Sequence, residues 1–341
     1  MSKWSFCKWL CFIALPMFFA VGCSKKSEVK NDNPKGLPSS GGKTLEVLVI
    51  VPEQLYKGEL KDSIGHCFMK ACEGLPQAEP LFDVVQMNPE GFFNSEMLQK
   101  HRNIIVIDMK AGNANKLKAT VDFKSTPQAY FLFETDNRDS LFALLSRNAD
   151  KIRNQFYENE RKRVYSAFKR LENTDVTRKM KKRFGFWLTV SEEFYIAADK
   201  SDFMWLRKET KDESLDITIC TKPYSGKMLP SQEEIIAMRD SVAKANIPGP
   251  AKDSYMGTET RSPFYSQRVS IGGFEAEETR GLWRLFGDWM GGPFVNYCFI
   301  DELHGRLVMI DCFVYCPRHP KRDRLMQLEG IVYGLKTVQN E

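Results

Sequence analysis

The residues best suited to contact a ligand are concentrated between positions 277 and 294, in the stretch EETRGLWRLFGDWMGGPF. An arginine in this stretch offers a planar, charged fork for a carboxylate, and two tryptophans offer faces on which a sugar ring can stack. An aspartate supplies a carboxylate close by. The sequence therefore predicts four candidate ligand-binding residues, which are Arg280, Trp283, Asp288 and Trp289.

The same stretch has a second interpretation in which it contacts no ligand. Its apolar residues recur at helical spacing, so the segment could be a packed helix that ends at the glycine pair. In that case Arg280 pairs with Glu277 or Glu278. The helix positions used here are Leu282, Leu285, Phe286 and Trp289.

Acidic residues downstream could instead do hydrolytic chemistry. Asp301 and Glu302 are adjacent, directly before His304, and Asp288 lies upstream. A general acid and base pair needs a shared cleft and shifted pKa values. The side chains of adjacent residues on a turn usually point in different directions. The sequence therefore favours a protein without catalytic activity. No metal or cofactor is predicted, because the four histidines are scattered and no phosphate-binding loop is present.

Two patterns predict the elements that position these residues. Short apolar, β-branched runs predict strands, and apolar residues at helical spacing predict helices, one of them long and basic at its downstream end. The predicted strands include 44–51, 81–87, 102–109, 130–134, 184–190, 203–209 and 214–222. The predicted helices include 58–73, 95–100, 137–171, 231–245, 277–294 and 321–335.

This order favours an α+β fold with mixed or antiparallel sheets and packed helices. Both halves end in an apolar strand, a polar break and a helix, which indicates two similar halves. We predict an N-terminal half at 43–175 and a C-terminal half at 176–341. The basic residues between Arg161 and Arg183 could touch anionic headgroups, or they could form an ordinary solvated face.

The N-terminus predicts the location of the protein. Lys3 and Lys8 accompany an apolar run from Trp9 to Val21, which is shorter than the roughly 20 residues of a spanning helix. The order Ala-Val-Gly-Cys that ends this run resembles the lipobox of bacterial lipoproteins, in which the cysteine is acylated. We therefore predict a lipoprotein signal peptide at 1–22 and a lipidated Cys23, which palmitate would label.

Residues 23–42 are rich in glycine and proline and predict a flexible tether. The whole chain carries a formal charge of +5, of which the leader contributes +2 through Lys3 and Lys8 and the tether another +2. About +1 remains for the folded part, so no nucleic-acid partner is expected. Six cysteines follow the tether, and we expect most of them to be small buried residues, although a long-range pair such as Cys298 with Cys312 stays open.

Several segments together carry a family resemblance. They are LPSSGGK, GLPQAEPLF, RNIIVI, TRGLW, GDWMGGPF and KRDRLMQLEGI. The chain resembles an uncharacterised family of Bacteroidetes-type lipoproteins, known only as a domain of unknown function. This resemblance implies an envelope lipoprotein and adds no reaction. Because Ser-Lys-Lys-Ser after Cys23 lacks an acidic run, a periplasm-facing orientation is expected.

These observations favour a membrane-anchored cell-envelope lipoprotein that binds a partner without turnover. The partner would be an envelope protein or glycan, and the membrane is contacted through the lipid anchor. The alternative is a hydrolase that acts on envelope glycan or peptide.

Overall fold

The computed structural model describes residues 36–338. The predicted leader and residues 23–35 of the predicted tether, with Cys23, lie outside the described residues, whereas residues 36–42 of the tether are described and include the buried Ser40. From Leu37 onward the chain forms one compact unit.

The described chain contains both strands and helices in each half, and several strands follow one another directly. The first half contains β1 (Glu46–Ile50), α1 (Glu59–Phe68), β2 (Asp83–Met87), α2 (Pro89–Phe93), α3 (Glu96–Gln99), β3 (Asn103–Met109), β4 (Lys116–Val121), β5 (Ala129–Thr135) and α4 (Arg138–Arg170). The second half contains α5 (Thr174–Phe184), β6 (Phe186–Trp187), β7 (Tyr195–Asp199), β8 (Phe203–Glu209), β9 (Ser214–Pro223), α6 (Gln232–Asn246), β10 (Tyr255–Thr258), β11 (Tyr265–Ile271), β12 (Phe274–Phe286), β13 (Gly291–Asp301), β14 (Arg306–Tyr315), α7 (Arg322–Tyr333) and β15 (Lys336–Thr337).

The first half builds a five-stranded sheet in the order β2-β1-β3-β5-β4. Its first four strands are parallel, and β4 runs antiparallel at one edge. Helices α1 and α4 cover one face with apolar side chains, while Phe92 of α2 packs on the other face. Burial on both faces explains why β1 and β3 read as continuous apolar runs in the sequence.

The second half builds an eight-stranded antiparallel sheet. The order is β10-β12-β13-β14-β9-β8-β7, and β11 lies beside β12 as well. Strands β10 and β11 pair with successive parts of the same edge of β12, at 283–286 and 274–280. Separately, β6 and β15 form a two-stranded ribbon.

Helix α4 connects the cores of the two sheets. Asn137 caps its N-terminus by accepting a hydrogen bond from the Ser140 backbone N–H at 2.9 Å. Its 33 residues give a length of about 50 Å. Phe156 and residues upstream pack on the first sheet, whereas Phe168 packs into the core of the second. The long amphipathic helix predicted from the sequence is confirmed.

The predicted α+β class is also confirmed. Each half has its own sheet, and the succession of an apolar strand and a helix occurs in both, as β5 with α4 and β14 with α7. The two sheets differ in strand direction, since the first is largely parallel and the second antiparallel.

The predicted helix at 277–294 is wrong. Residues 274–286 form β12, a turn follows, and β13 begins at Gly291. Charged Glu278 and Arg280 lie on the covered face of this strand, so the alternation of apolar and polar residues that marks a strand is masked. Without that alternation, the spacing of four apolar residues imitated a helix.

All six cysteines from Cys67 onward are free, and every one except Cys72 is buried. This agrees with their expected role as small apolar side chains. Cys298 and Cys312 cannot pair, because Cys298 lies opposite Met309 and Cys312 opposite Val295 on neighbouring strands. Within residues 36–338, the structure has no helix that is both long and apolar enough to cross a bilayer.

Candidate functional site

The four predicted ligand-binding residues do not form one pocket. Arg280 and Trp283 both lie in β12 but are three positions apart, so they point to opposite faces of the sheet. Arg280 faces α7, whereas Trp283 packs with residues of α6. Asp288 and Trp289 lie in the turn between β12 and β13.

Arg280 is held in a charged network inside the protein. Its Nε donates to Glu278 Oε1 at 2.8 Å and its Nη1 to Glu329 Oε1 at 2.9 Å. Arg161 from α4 completes the network, 3.9 Å from Glu329, with its guanidinium over the ring of Tyr333. Burial lowers the pKa of Arg280, but the two carboxylates more than reverse this and keep the pKa well above its ordinary value. This network joins β12, α7 and α4.

Trp283 is buried and has a structural hydrogen bond. Its indole lies across Gly292 of the adjacent strand, and Nε1 donates to the Val314 carbonyl oxygen at 3.1 Å. A Cβ at Gly292 would lie 2.1 Å from the Val314 oxygen, so only glycine fits. The glycine pair therefore permits close strand packing and does not end a helix.

A groove lies elsewhere, at one end of the antiparallel sheet. Its volume is about 940 Å³, within the range of ligand sites. The turns before β12 and before β14, the C-terminal end of α5, the loop at 227–229 and Val338 surround it. Three aliphatic side chains at this groove are more than half exposed, namely Met228, Leu303 and Val338.

A buried carboxylate and a histidine lie in this groove. Asp301 Oδ2 is 2.8 Å from His304 Nδ1 and accepts a hydrogen bond from Arg306 Nε at 2.9 Å. Burial raises the pKa of Asp301, but these two partners hold it below its usual value. Because Asp301 is ionised, His304 Nδ1 is the donor, and the half-exposed imidazole has a fixed orientation.

The three carboxylates predicted for hydrolysis are Asp288, Asp301 and Glu302, and the structure does not bring them together. Asp301 and Glu302 both line the groove, but Asp301 is held ionised and is a poor proton donor. Asp288 is at the other end of β13, which spans roughly 35 Å over its 11 residues. These three groups therefore cannot act on one bond.

Sequence reasoning missed the apolar side chains of the groove. The available signal was an aliphatic residue in an otherwise polar turn, as in DELHG around Leu303 and SGKML around Met228. The turns come together because α5 ends at Gly185, whose φ of +72° is the left-handed conformation that favours glycine. Arg306 Nη2 donates to the Phe184 carbonyl oxygen there and fixes α5 beside the β13–β14 turn.

Several cations of the basic stretch at 161–183 are paired with carboxylates within the protein. Arg178 pairs with Asp175 at 2.8 Å, Lys162 with Glu158 at 2.7 Å, and Arg183 with Asp199. Arg161 belongs to the buried network described above, and Arg163 donates to Ser40 Oγ at 2.7 Å. These pairs favour the interpretation of an ordinary solvated face, and contact with anionic headgroups stays a prediction.

Another buried carboxylate, Asp216, lies on the α6 face of the antiparallel sheet. Trp205 Nε1 donates to it at 2.8 Å and Ser214 Oγ at 2.7 Å. Burial raises its pKa from 3.8 to about 6, although Arg207 and these two donors lower it.

Asp216→Asn should change how stability depends on pH. Below about pH 4 the aspartate is protonated in both folded and unfolded states, whereas the folded state resists losing this proton as pH rises through about 6. The wild-type protein should therefore lose on the order of 3 kcal/mol of its free energy of unfolding between about pH 4 and pH 6. The variant has no carboxyl group at this position and should not show this loss. Urea unfolding at several pH values measures the difference, and equal slopes in both proteins would contradict the assignment.

Among the described residues, no three His, Cys, Asp or Glu side chains are grouped as a metal site requires. The candidate site is the groove described above. It has apolar side chains at its rim, charges of both signs and one histidine of fixed orientation.

Three solved structures are distantly similar to this chain. A mutant of the protein Mog1 is 11% identical with a TM-score of 0.31 and covers 45% of this chain and 91% of its own. The Ran-binding protein Mog1p of Saccharomyces cerevisiae is 10% identical with a TM-score of 0.30, over 45% and 90%. LpqN of Mycobacterium tuberculosis, involved in cell envelope biogenesis, is 11% identical with a TM-score of 0.28, over 44% and 82%. At these TM-scores none supports a shared function.

No curated protein matches the sequence. Two family models do match it. Residues 40–169 match the domain of unknown function DUF8532, and residues 173–334 match the domain of unknown function DUF4837. The Bacteroidetes lipoprotein type remains a prediction. The predicted resemblance to an uncharacterised family is confirmed, since most of the chain is similar to families that are described only as domains of unknown function.

Proposed function

We propose that this protein is a lipid-anchored, non-catalytic binding protein of the cell envelope. Its ligand is an apolar segment of another envelope polypeptide, seated in the groove between α5, the β11–β12 turn and the β13–β14 turn. The observation that carries this proposal is the exposure of Met228, Leu303 and Val338 around a groove of about 940 Å³. Burying one such side chain contributes roughly 1.5–3 kcal/mol, and these contributions offset part of the cost of association.

The side chains of the groove favour a polypeptide over a glycan. Sugar rings stack on exposed aromatic faces, but the aromatic rings at this groove stack on other rings of the protein. Phe274 stacks on Phe299 with centroids 4.5 Å apart, and Phe184 stacks on Phe186 at 5.5 Å. The displayed rim is aliphatic, and methionine adapts well to varied apolar partners.

The charges of the groove favour a polypeptide over a lipid. The lining contains two cations, Lys227 and Arg268, and also the carboxylates of Glu275 and Glu302. It therefore has no clear excess of positive charge. Arg268 is also paired with Glu277 at 2.8 Å. An anionic headgroup would be bound best by unpaired cations, whereas a polypeptide presents both signs of charge.

A photoreactive amino acid at position 303 tests the proposal in intact cells. We expect a polypeptide adduct at Leu303, because this side chain lies at the groove and is 72% exposed. Met97 in α3 is 77% exposed and lies outside the groove, so the same amino acid at position 97 should give no such adduct. Mass spectrometry of the adduct identifies the ligand.

A second variant makes this experiment specific. Met228→Glu adds a charge to the apolar rim and should reduce the adduct at position 303 several-fold, since burying an unpaired charge is unfavourable. A lipid or glycan adduct, or equal labelling at positions 97 and 303, would contradict a polypeptide ligand.

A hydrolase acting on envelope glycan or peptide is the second candidate function. The single feature that favours it is the hydrogen bond between Asp301 and His304 in the groove, which orients an imidazole as a general base requires. Consumption of such a substrate by the purified protein, abolished by His304→Gln, would favour this function over binding alone.

A further inference from the structure

Trp289 is the most exposed large apolar side chain in the described part of the chain, with a relative exposure of 101%. Trp187 and Trp283 are buried, and Trp205 is partly covered. A free indole leaves on the order of 150–250 Å² of surface in water. A contiguous apolar patch indicates an interaction site more strongly than one exposed side chain, so the neighbours of Trp289 matter as well.

The turn that carries Trp289 has a defined conformation. Gly287 adopts a φ of +85°, and the Leu285 backbone N–H donates to the Met290 carbonyl oxygen at 2.8 Å. Asp288 Oδ1 accepts from the Trp289 backbone N–H at 2.5 Å. The backbone of the turn is therefore ordered before binding and presents the indole outward.

Aromatic and basic side chains surround the base of this turn. Phe286 is 38% exposed and stacks on Tyr255 with centroids 5.3 Å apart. Lys244 Nζ lies 4.6 Å from the centroid of Tyr255, and the Arg284 guanidinium lies 5.1 Å from that of Phe286. Tryptophan with neighbouring aromatic rings and cations is typical of side chains at the headgroup level of a membrane.

We propose that the β12–β13 turn inserts Trp289 into the interfacial region of a lipid bilayer, with Lys244 at the headgroups and Arg284 kept in its ion pair with Glu259 at 3.4 Å. This inference goes beyond ligand binding and uses no residue of the groove. It rests on the proposed lipid anchor in one respect, because a single indole binds a bilayer weakly. A tether raises the effective concentration of the turn at the membrane surface.

The test uses the full acylated chain, purified from the membrane fraction and reconstituted in vesicles. The emission of Trp289 is obtained as the difference between wild type and Trp289→Phe. We expect this difference emission to be blue-shifted, quenched by lipids brominated on their acyl chains, and protected from aqueous iodide. The same subtraction with Trp205→Phe serves as the matched control and should show no quenching by brominated lipid.

Each remaining outcome would overturn the proposal. Difference emission that responds to iodide and not to brominated lipid places Trp289 in water. If the chain floats with the vesicles in that case, the lipid anchor stands and only the insertion of Trp289 is refuted. A chain that does not float contradicts both. Protection of Trp289 only after addition of a second envelope protein would make the turn a protein-docking site instead.

Discussion

Arg280→Met should lower the free energy of unfolding by about 3–5 kcal/mol. The substitution keeps the aliphatic stem and removes the charge that neutralises Glu278 and Glu329. Glu278 is 1% exposed and Glu329 is 5% exposed, so both carboxylates would be left in a place where water cannot solvate them. Urea unfolding of the purified protein measures the loss.

Two comparisons separate this effect from a general cost of removing arginine. Arg178→Met breaks a surface pair with Asp175, in which both side chains are more than 70% exposed, and should cost no more than about 1 kcal/mol. Adding Glu278→Gln and Glu329→Gln to Arg280→Met should restore part of the lost stability, because the unpaired charges are removed. A loss below 1 kcal/mol for Arg280→Met would show that the network contributes little.

Cys23→Ser should release the protein from the membrane. Acyl chains stabilise membrane binding by about 0.8 kcal/mol per buried methylene, so two or more chains give stable attachment. Serine cannot form the thioether to the lipid, and the apolar run before it is shorter than a spanning helix. We therefore expect incorporation of labelled palmitate to be abolished and most of the protein to move to the soluble fraction.

Cys11→Ser is the matched control for this prediction. Cys11 lies inside the predicted leader and would be removed with it, so labelling and membrane attachment should stay at the wild-type level. Palmitate labelling that persists in Cys23→Ser, or membrane attachment that survives an alkaline wash in that variant, would contradict lipidation at Cys23.

Stability and localisation are independent in these two experiments. Arg280 lies within the folded unit and Cys23 lies before it in the chain, so each variant should leave the other measurement unchanged.

Local sequence patterns determined most elements of the first half. The runs at 44–51 and 102–109 are apolar and β-branched because their strands are buried on both faces, and such runs depend little on the rest of the chain. The long helix was predicted for a similar reason, since Asn137 caps it and its apolar stripe is regular. Edge strand β4 was not predicted, although Leu117, Ala119 and Val121 alternate with polar residues, because the run is short and mostly exposed.

The candidate site depended on contacts that are distant in the sequence. Arg280 and Trp283 were grouped because they are close in sequence, yet a strand directs them to opposite faces. The charged partners in the Arg280 network are Glu329 of α7, 49 positions away, and Arg161 of α4, more than 100 positions away. No local sequence pattern could therefore show that Arg280 is buried and paired.

By itself, the sequence determined the α+β class, the long helix and the resemblance to an uncharacterised family, because each depends on local composition and on the spacing of nearby residues. Only the tertiary structure decided which polar residues are buried in networks and which apolar residues remain displayed. Met228, Leu303 and Val338 come from three separate segments, and the groove between them exists only once α5 and the β13–β14 turn are packed together.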